Sequence, residues 1–519
     1  MDSQPEPVNY ICGGKDRFSN MSDDILGQIL SSIPTHLAVQ TSVLSKRWRD
    51  VWTRAANIHL DDRLSFFSTK PKPTFESSAD QILCRNQMPL RKFSLHCFRF
   101  RDVSRINAWI ECALERKVTE LDLFLADPYS QLTQRIYTCE NLEVLRMYSD
   151  FDLHIPRNSV GFPRVKTLHL SVANPNSFLM RKLFRKFPVL EELQIDGVTC
   201  KERRSFKIFV PTLKRLAIRI ANRNNGTDYS CYDFYVIAPA LEYIDISDDT
   251  ISLYHMEEKS LQSLIKAQVD VGAGIDFTNN DCWHGAYNRA MGLLSEVVNT
   301  KFLSLSASTI QVLNTGWYQT KQLPKFPKLV PTLPNLTSLE LHVFDGFDWE
   351  SVVLDYLKKA PKLEAFVLNI LKGPKIDCWE SSGQQRFAPV DCLLPQLKVI
   401  EIRGLKGRKN EQVFLKYLLK NAKFLEKMII NAASPSPKPS PVNPNLKRAL
   451  AFLALCLSLS LSLSLCHQRP IFIILVDRQW ILNQNQSEPV ELFSTKLAEE
   501  DNWRPSIQEW TTYHQKRWV

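Results

Sequence analysis

From about residue 90 onward one phrase recurs, and it restricts what the chain can fold into. It has the form LxxLxL, with Ile, Val, Phe or Met substituting. It reads KFSLHCF (92–98), VTELDLFL (118–125), NLEVLRMY (141–148), RVKTLHLSV (164–172), VLEELQIDG (189–197), TLKRLAIRI (212–220) and ALEYIDISD (240–248). It returns as SLQSLIKAQVDV (260–271), KFLSLSA (301–307), NLTSLELHV (335–343), KLEAFVLNI (362–370), QLKVIEIRG (396–404) and FLEKMII (424–430). Leu121, Leu145, Leu168, Leu193 and Leu216 mark steps of 24, 23, 25 and 23 residues, and later steps run from 20 to 39. Alternation along a strand sends successive side chains to opposite faces, so the leucines of each phrase share one face. A unit this short cannot hide that face alone. Neighbouring units must stack, which predicts a curved solenoid of parallel strands. Return segments such as NSFLMRKLFRK (176–186) have helical spacing and are expected on the convex side. Phe162-Pro163, Phe187-Pro188, Ala238-Pro239 and Ala360-Pro361 are expected to end the preceding helices, because the residue before proline avoids helical angles.

The residue between the two inward positions of each strand points out on the concave side. These residues are Asp122, Arg146, His169, Gln194, Asp245, Ser304, Glu340 and Glu401. They vary in charge and size on a constant frame. That suits selective binding of a target protein, the alternative for any single residue being plain solvation.

The stretch from Asp16 to Trp52 follows a different rule. Ser22 can cap a helix whose first turn holds Asp23 and Asp24, where the dipole favours negative charge. Ile25, Leu26, Ile29, Leu30 and Ile33 form one apolar stripe. Pro34 restarts the chain, Leu37, Ala38, Val39, Val43 and Leu44 make a second short helix, and Ser45 can cap a third carrying Trp48 and Trp52. About forty residues cannot bury so many large side chains internally. The surplus packs either on the rest of the chain or on a separate protein.

The same stretch resembles the F-box. The resemblance rests on Asp16-Arg17-Phe18-Ser19, Asp24-Ile25-Leu26, Ile29-Leu30-Ser31 and above all Thr41-Ser42-Val43-Leu44-Ser45-Lys46-Arg47-Trp48-Arg49. It implies docking onto the Skp-family adaptor of a cullin-RING ubiquitin ligase through Met21, Ile25, Leu26, Ile29, Leu30, Ile33, Pro34, Leu37, Val43, Leu44 and Trp48. The family usually has Leu-Pro where this chain has Met21-Ser22. Loss of the proline is expected to weaken the first helix, while Met can still fill a Leu pocket. The recurring phrases are similar to leucine-rich repeats. LPQLKVIEIRGLKGRKNEQVFLKYLLKNAKFLEKMII, within 392–431, resembles the FBD module that ends many plant F-box proteins with such repeats, and should cap the solenoid.

The predicted fold class is therefore α/β. Its parts are a disordered start (1–15), a three-helix F-box (16–58), an irregular leucine-rich-repeat solenoid with helical returns (59–390) and a truncated FBD-like cap (391–431). A proline-rich linker (432–448) and a tail of uncertain origin (449–519) follow. Residues 68–80, STKPKPTFESSAD, read as a loop, and Ile58 to Asp61 as a short strand. In the tail, AFLALCLSLSLSLSLC brushes the length of a membrane helix. Serines at strict two-residue spacing and flanks without aromatic residues argue against one. Alternating Leu-Ser is also what a CT dinucleotide tract encodes, so translated non-coding sequence is the preferred reading over an anchor. IFIILV (471–476) is a β-prone run.

Composition narrows the function classes. Net charge is +10 over 519 residues. The densest basic cluster, Lys201, Arg203, Arg204, Lys207, Lys214, Arg215 and Arg219, lacks the interleaved aromatics of a nucleic-acid site and reads as a solvated face. Twelve cysteines show no zinc spacing. Cys97, Cys112 and Cys139 sit in apolar patterns as buried thiols, and the N-terminus, MDSQPEPVNY, lacks signal-peptide character. A reducing compartment, cytoplasmic or nuclear, is expected. The phosphate-loop, dinucleotide, zinc-protease and nucleophile-elbow motifs are missing, and the ten histidines show no telling spacing. The expectation is a non-catalytic subunit of an SCF-type ubiquitin ligase that binds a Skp-family adaptor, and through it a cullin, and holds a target on the repeats. It has no cofactor, no metal and no nucleic-acid partner. A repeat scaffold outside any ligase, and a tail-anchored membrane protein, are the alternatives.

Overall fold

The computed structural model describes residues 18, 20–64, 74–125, 132–148, 161–172, 182–198, 204–222, 232–274, 280–320, 331–345, 349–373, 396–406, 409–432 and 472–476. The chain divides into two compact units, Met1–Leu475 and Val476–Val519. All that follows, apart from Val476, concerns the first. The expectations for residues 1–15, for the linker and for the Leu-Ser tract lie outside the described residues. None of the described helices is long and apolar enough to cross a membrane.

The head is α1 (Asp23–Leu30), α2 (Thr35–Gln40) and α3 (Trp48–Val51), with 3₁₀ turns at Thr41–Val43 and Trp52–Arg54. Ser22 is extended and its hydroxyl accepts from the Ile25 N–H at 3.4 Å, so serine does by capping what proline does by preset angles. The other end of the same motif reinforces this start. Arg47 pairs with Asp23 at 2.7 Å and donates to the Met21 carbonyl. Ser45 caps nothing, since α3 begins at Trp48 after Arg47.

Fifteen strands form one sheet among the described residues. Its early members are β1 (Asn57–Asp61), β2 (Lys92–Cys97), β3 (Glu120–Leu125), β4 (Val144–Met147), β5 (Thr167–Val172) and β6 (Glu192–Val198). Next along the chain come β7 (Arg204–Phe209), β8 (Arg215–Ala221), β9 (Tyr232–Ile237), β10 (Tyr243–Asp248), β11 (Leu253–Met256) and β12 (Lys266–Val271). The last are β13 (Phe302–Leu305), β14 (Ser338–Phe344), β15 (Ala365–Leu371), β16 (Val399–Leu405), β17 (Lys427–Ala432) and β18 (Phe472–Val476). The sheet runs β1 to β6, then β8, β10 and β12 to β18, so chain order is spatial order once β7, β9 and β11 are set aside. From β1 to β17 neighbours pair in parallel, as stacked repeats demand. Inward positions such as Leu121, Leu145, Leu168, Leu216, Ile244, Leu339 and Ile400 are fully buried.

Three returns contain strands, the third followed by a short helix at Glu258–Ser263. β7, β9 and β11 form a second parallel sheet in the order β11-β9-β7. Their sequences alternate rather than wind: Phe206 and Ile208, Tyr232, Phe234 and Val236, and Tyr254 and Met256 are buried, with exposed or half-exposed residues between them. Phe234 stacks on Tyr254 at 5.2 Å. Helical returns occur elsewhere, at Val103–Glu115, Asn280–Glu296, Ala307–Thr320, Trp349–Lys359 and Lys409–Asn421. Of the segment expected to be helical at 176–186, only residues 182–184 are described as helix. The proline rule holds where Trp349–Lys359 stops before Ala360-Pro361, but the residues before Ala238-Pro239 are strand β9. Phe162 and Phe187, each preceding a proline, stack in the core at 4.5 Å and 8°. Residues 75–85 correct the expected loop. Thr74 caps a helix there, and Ser78, Ala79, Ile82 and Leu83 are buried on one face.

One buried carboxylate organises the crossover into the second sheet. Asp248 is 0% exposed, and its oxygens accept from the N–H groups of Thr250, Ile251 and Ser252 and the hydroxyls of Thr250 and Tyr254, at 2.6–3.1 Å. These bonds hold Ile251 at a φ of 60°, a left-handed value that a β-branched residue rarely takes. Asp248→Ala is expected to lower stability by about 3 kcal/mol, since it leaves buried donors unpaired. Urea unfolding followed by circular dichroism measures it, and a loss below about 1 kcal/mol would refute the assignment.

Candidate protein-binding surfaces

Two surfaces stand out, and the fold joins them. The first is the apolar face of the head. Val43 is 78% and Leu44 66% exposed, and Phe18, Ile25, Ile29 and Leu37 are also open. Six of the fifteen large exposed apolar side chains among the described residues thus lie between Phe18 and Leu44. Met21, Ile33 and Trp48 are half-buried against the core, and Pro34 is exposed. Two expected docking residues are not available. Leu26 (0% exposed) and Leu30 (3%) pack inside the chain's own core with Ala38, Val39, Val51 and Trp52. The stripe predicted along α1 is therefore split. The helix has no room to turn, because a Cβ on Gly27 would meet Arg54 Cβ at 2.7 Å. Phe18 is an exposed member that periodicity alone did not include.

The head is bolted to the repeats through backbone groups of the sheet's first strand. The Ala56 N–H donates to Ser31 Oγ at 2.8 Å, and the His59 N–H to Thr35 Oγ1 at 2.7 Å. Asn57 Nδ2 donates to the Ser31 carbonyl at 2.8 Å, and buried Asn86 Nδ2 to the Ala55 carbonyl at 2.8 Å. An edge strand left bare invites pairing with another chain, and here the F-box helices cover it. The sheet accordingly begins at Asn57, inside the span expected for the F-box alone.

The second surface is the face of the sheet opposite the inward leucines, on which Asp122, Ser304 and Glu340, expected to point into solvent, are buried. Asp122, Arg146, His169 and Gln194 are successive register partners. Asp245 and Gln194 are both register partners of Ala217, and Asp245 continues through Gln268 to Ser304 and Glu340. Val367 links Glu340 to Glu401. The eight predicted positions therefore lie in one row across the sheet, as a shared place in each repeat requires. The same row includes His59, Ser94, Ala217, Gln268, Val367 and Ile429, which leucine spacing did not single out.

Charges in the row are paired across repeats. Arg219 meets Asp245 at 3.2 Å, and Arg146 lies 3.7 Å from Glu120. Asn369 Nδ2 donates to Glu340 Oε1 at 3.1 Å. Burial by itself would raise the Asp122 carboxyl. The hydrogen bond with His96 and the charges of His96, Lys92 and Arg146 outweigh it and hold that carboxyl below its ordinary range. Burial, with Arg146 and Arg219 beside it, pushes His169 down to about 4. Within the basic cluster, Lys214 pairs with Glu191 and Arg215 with Glu192. Cys97 and Cys139 are buried thiols, as expected, whereas Cys112 is only half-buried.

The expectation that no histidine keeps a telling spacing needs correction. His59 and Asp61 are two apart on β1 and so share a face, and register places His96 of β2 opposite Asp61. One ligand atom from each lies within 4.8 Å of the others. The His-x-Asp spacing was present in the sequence, but its partner 35 residues on was visible only through strand register.

A helical head with an exposed apolar face, fused to a parallel leucine-rich solenoid, defines the class of repeat protein to which this fold belongs. Comparison with known proteins finds the same three modules in the same order. The F-box domain model matches residues 18–59, the model of LRR repeats of FBD-associated F-box protein At5g56370 matches 106–258, and the FBD model matches 388–430. F-box/LRR-repeat protein At4g14103 of Arabidopsis thaliana is 30% identical over 69% of this chain and 92% of that protein. F-box/FBD/LRR-repeat protein At4g26340 of the same plant is 28% identical over 78% and 90%. F-box/LRR-repeat protein 13, also from Arabidopsis thaliana, is 27% identical over 80% and 89%. The chain belongs to the plant F-box/leucine-rich-repeat family and carries its FBD module.

The His169 environment gives a signed pH effect. Its pKa is lowered in the folded state, so the unfolded chain binds more protons between about 4 and the ordinary histidine value of 6.5. Its contribution to stability is present above that window and lost as pH falls through it. His169→Gln is expected to flatten the pH dependence of the urea midpoint there. An unchanged slope would count against the assignment.

Proposed function

We propose that the chain is the substrate-recognition subunit of an SCF-type cullin-RING ubiquitin ligase. Its F-box head would bind a Skp-family adaptor, and through it a cullin, with Ile25, Ile29, Leu37, Val43 and Leu44 as the apolar contact. The open face of the repeats would hold a target protein, so the chain would act by proximity while other subunits carry the chemistry. Such work belongs in the cytoplasm or nucleus. The observation that supports this most is the concentration of exposed apolar side chains on the head. A monomer gains nothing from leaving Val43 and Leu44 in water, and burying each against a partner is worth about 1.5–3 kcal/mol. The family match points the same way. Met21-Ser22 leaves the reading intact, because Ser22 and Arg47 hold the start of α1.

The test is co-expression of the full chain with a Skp-type adaptor and measurement of the complex. Val43→Asp and Leu44→Asp are expected to leave the melting temperature within a degree or two and weaken adaptor binding at least a hundredfold. Leu30→Asp should instead unfold the head, because Leu30 is buried. Failure of the wild-type chain to bind the adaptor would favour a repeat scaffold outside the ligase. Binding that survives both exposed-site changes would reject the assigned surface.

A further inference from the structure

The junction between the head and the first repeat carries three metal-ligating side chains that the adaptor role does not use. His59 and Asp61 project from β1 and His96 from β2, on the open face. The two imidazoles meet edge to face, with centroids 4.8 Å apart. Ser94, the register partner of His59, is small and leaves room for both rings. The group borders a cavity of about 450 Å³ lined by Ser31, Thr35, His59, Ser94, His96 and Asp122, among others.

We propose that His59, Asp61 and His96 bind one divalent transition-metal ion, zinc by donor type, and that this ion ties the strand leaving the F-box to the first repeat. Two imidazole nitrogens and one carboxylate oxygen form a donor set for zinc or cobalt rather than for calcium or magnesium, which take oxygen ligands. One ligand atom from each residue lies within 4.8 Å of the others. Bonds of about 2.0–2.2 Å at tetrahedral angles need separations of about 3.3 Å. Side-chain rotation supplies that closure on a fixed backbone.

The surroundings match what such ligands require. His96 Nε2 is 3.2 Å from Asp122 Oδ1, the carboxylate–histidine contact that orients a metal-bound imidazole, and it leaves the other ring nitrogen for the ion. Arg63 engages both oxygens of Asp61, at 3.0 and 2.7 Å. A carboxylate has about four lone-pair sites, so acceptor capacity remains. The local cations are Arg63 and Lys92, whose Nζ lies 4.0 Å from Asp122, and Asp61 and Asp122 balance them. The ion then brings net charge of its own. The consequence is mechanical: cross-linking β1 to β2 sets the angle between the docking face and the row above it, whatever binds either surface.

The test uses the full chain, freed of metal with a chelator and titrated with Co²⁺, read by visible absorption, then with Zn²⁺, read by displacement and by metal content. One Co²⁺ per chain, displaced by Zn²⁺, is expected. His59→Ala and His96→Ala should each weaken binding at least a hundredfold, and Asp122→Asn ten- to a hundredfold. Zn²⁺ should raise the melting temperature of the wild-type chain and not that of either histidine variant. His342→Ala, elsewhere on the open face, should bind as the wild type does. Metal-free melting temperatures establish that each variant is folded, and His59→Gln and His96→Gln replace any that is not. No saturable Co²⁺ uptake by the wild-type chain, or uptake that survives both histidine changes, overturns the proposal. So does an equal loss in His342→Ala. Adaptor binding is not part of the readout, so failure here leaves the ligase reading standing, and the reverse holds.

Discussion

A leucine that only the next repeat can cover is the constraint from which the rest of this molecule follows. Leu121, Leu145, Leu168 and Leu193 are buried because each lies beside its counterpart in a neighbouring strand, with the return segments behind them. No repeat is stable by itself, so the strands stack in chain order and in parallel. Stacking then brings one residue of every repeat into a single row. The binding face is thus a by-product of the arrangement that buries the core. Its residues add side-chain bonds between neighbouring repeats, such as Asp122 with His96 and Glu340 with Asn369, on a ladder that the backbone and the leucines already hold.

Such a stack has an unprotected end, and the head solves that problem as well as its own. Ser31 and Thr35 satisfy polar groups around β1, while Leu26, Leu30 and Trp52 fill the space beneath. The head spends part of its apolar stripe on this joint. What remains outside, Ile25, Ile29, Leu37, Val43 and Leu44, exceeds what the chain can cover. The exposed apolar face of the head and the row on the sheet are therefore parts of one continuous structure. Strand β1 serves both, closing the F-box and opening the sheet.

Irregularity in the repeats has local causes. Between β6 and β12 the returns alternate in hydrophobicity and form strands, and Asp248 uses its carboxylate oxygens to turn the chain from one sheet to the other. Near the FBD end, Gly404 takes a φ of 85° beside a break in register between β16 and β17. A Cβ there would fall on the Ile370 carbonyl oxygen, so glycine alone fits. The strand returns lie outside the main ladder and the Gly404 break is confined to one strand pair, so the sheet continues although repeat spacing wanders from 20 to 39 residues.

Sequence by itself determined the α/β class, the strands, their inward leucines and the row of outward positions, because a period of two and a fixed repeat unit leave side chains no other faces to occupy. It also marked the head, because the Thr41-to-Arg49 run and its apolar neighbours are dense and local. Tertiary structure alone decided which apolar residues of the head stay exposed, since Leu26 and Ile25 are equally apolar and adjacent, and only packing separates them. It decided that three returns are strands, because their apolar spacing becomes decisive only when two neighbours offer edges to pair with. And it brought His96 to His59 and Asp61, a meeting set by strand register, which no spacing along the chain encodes.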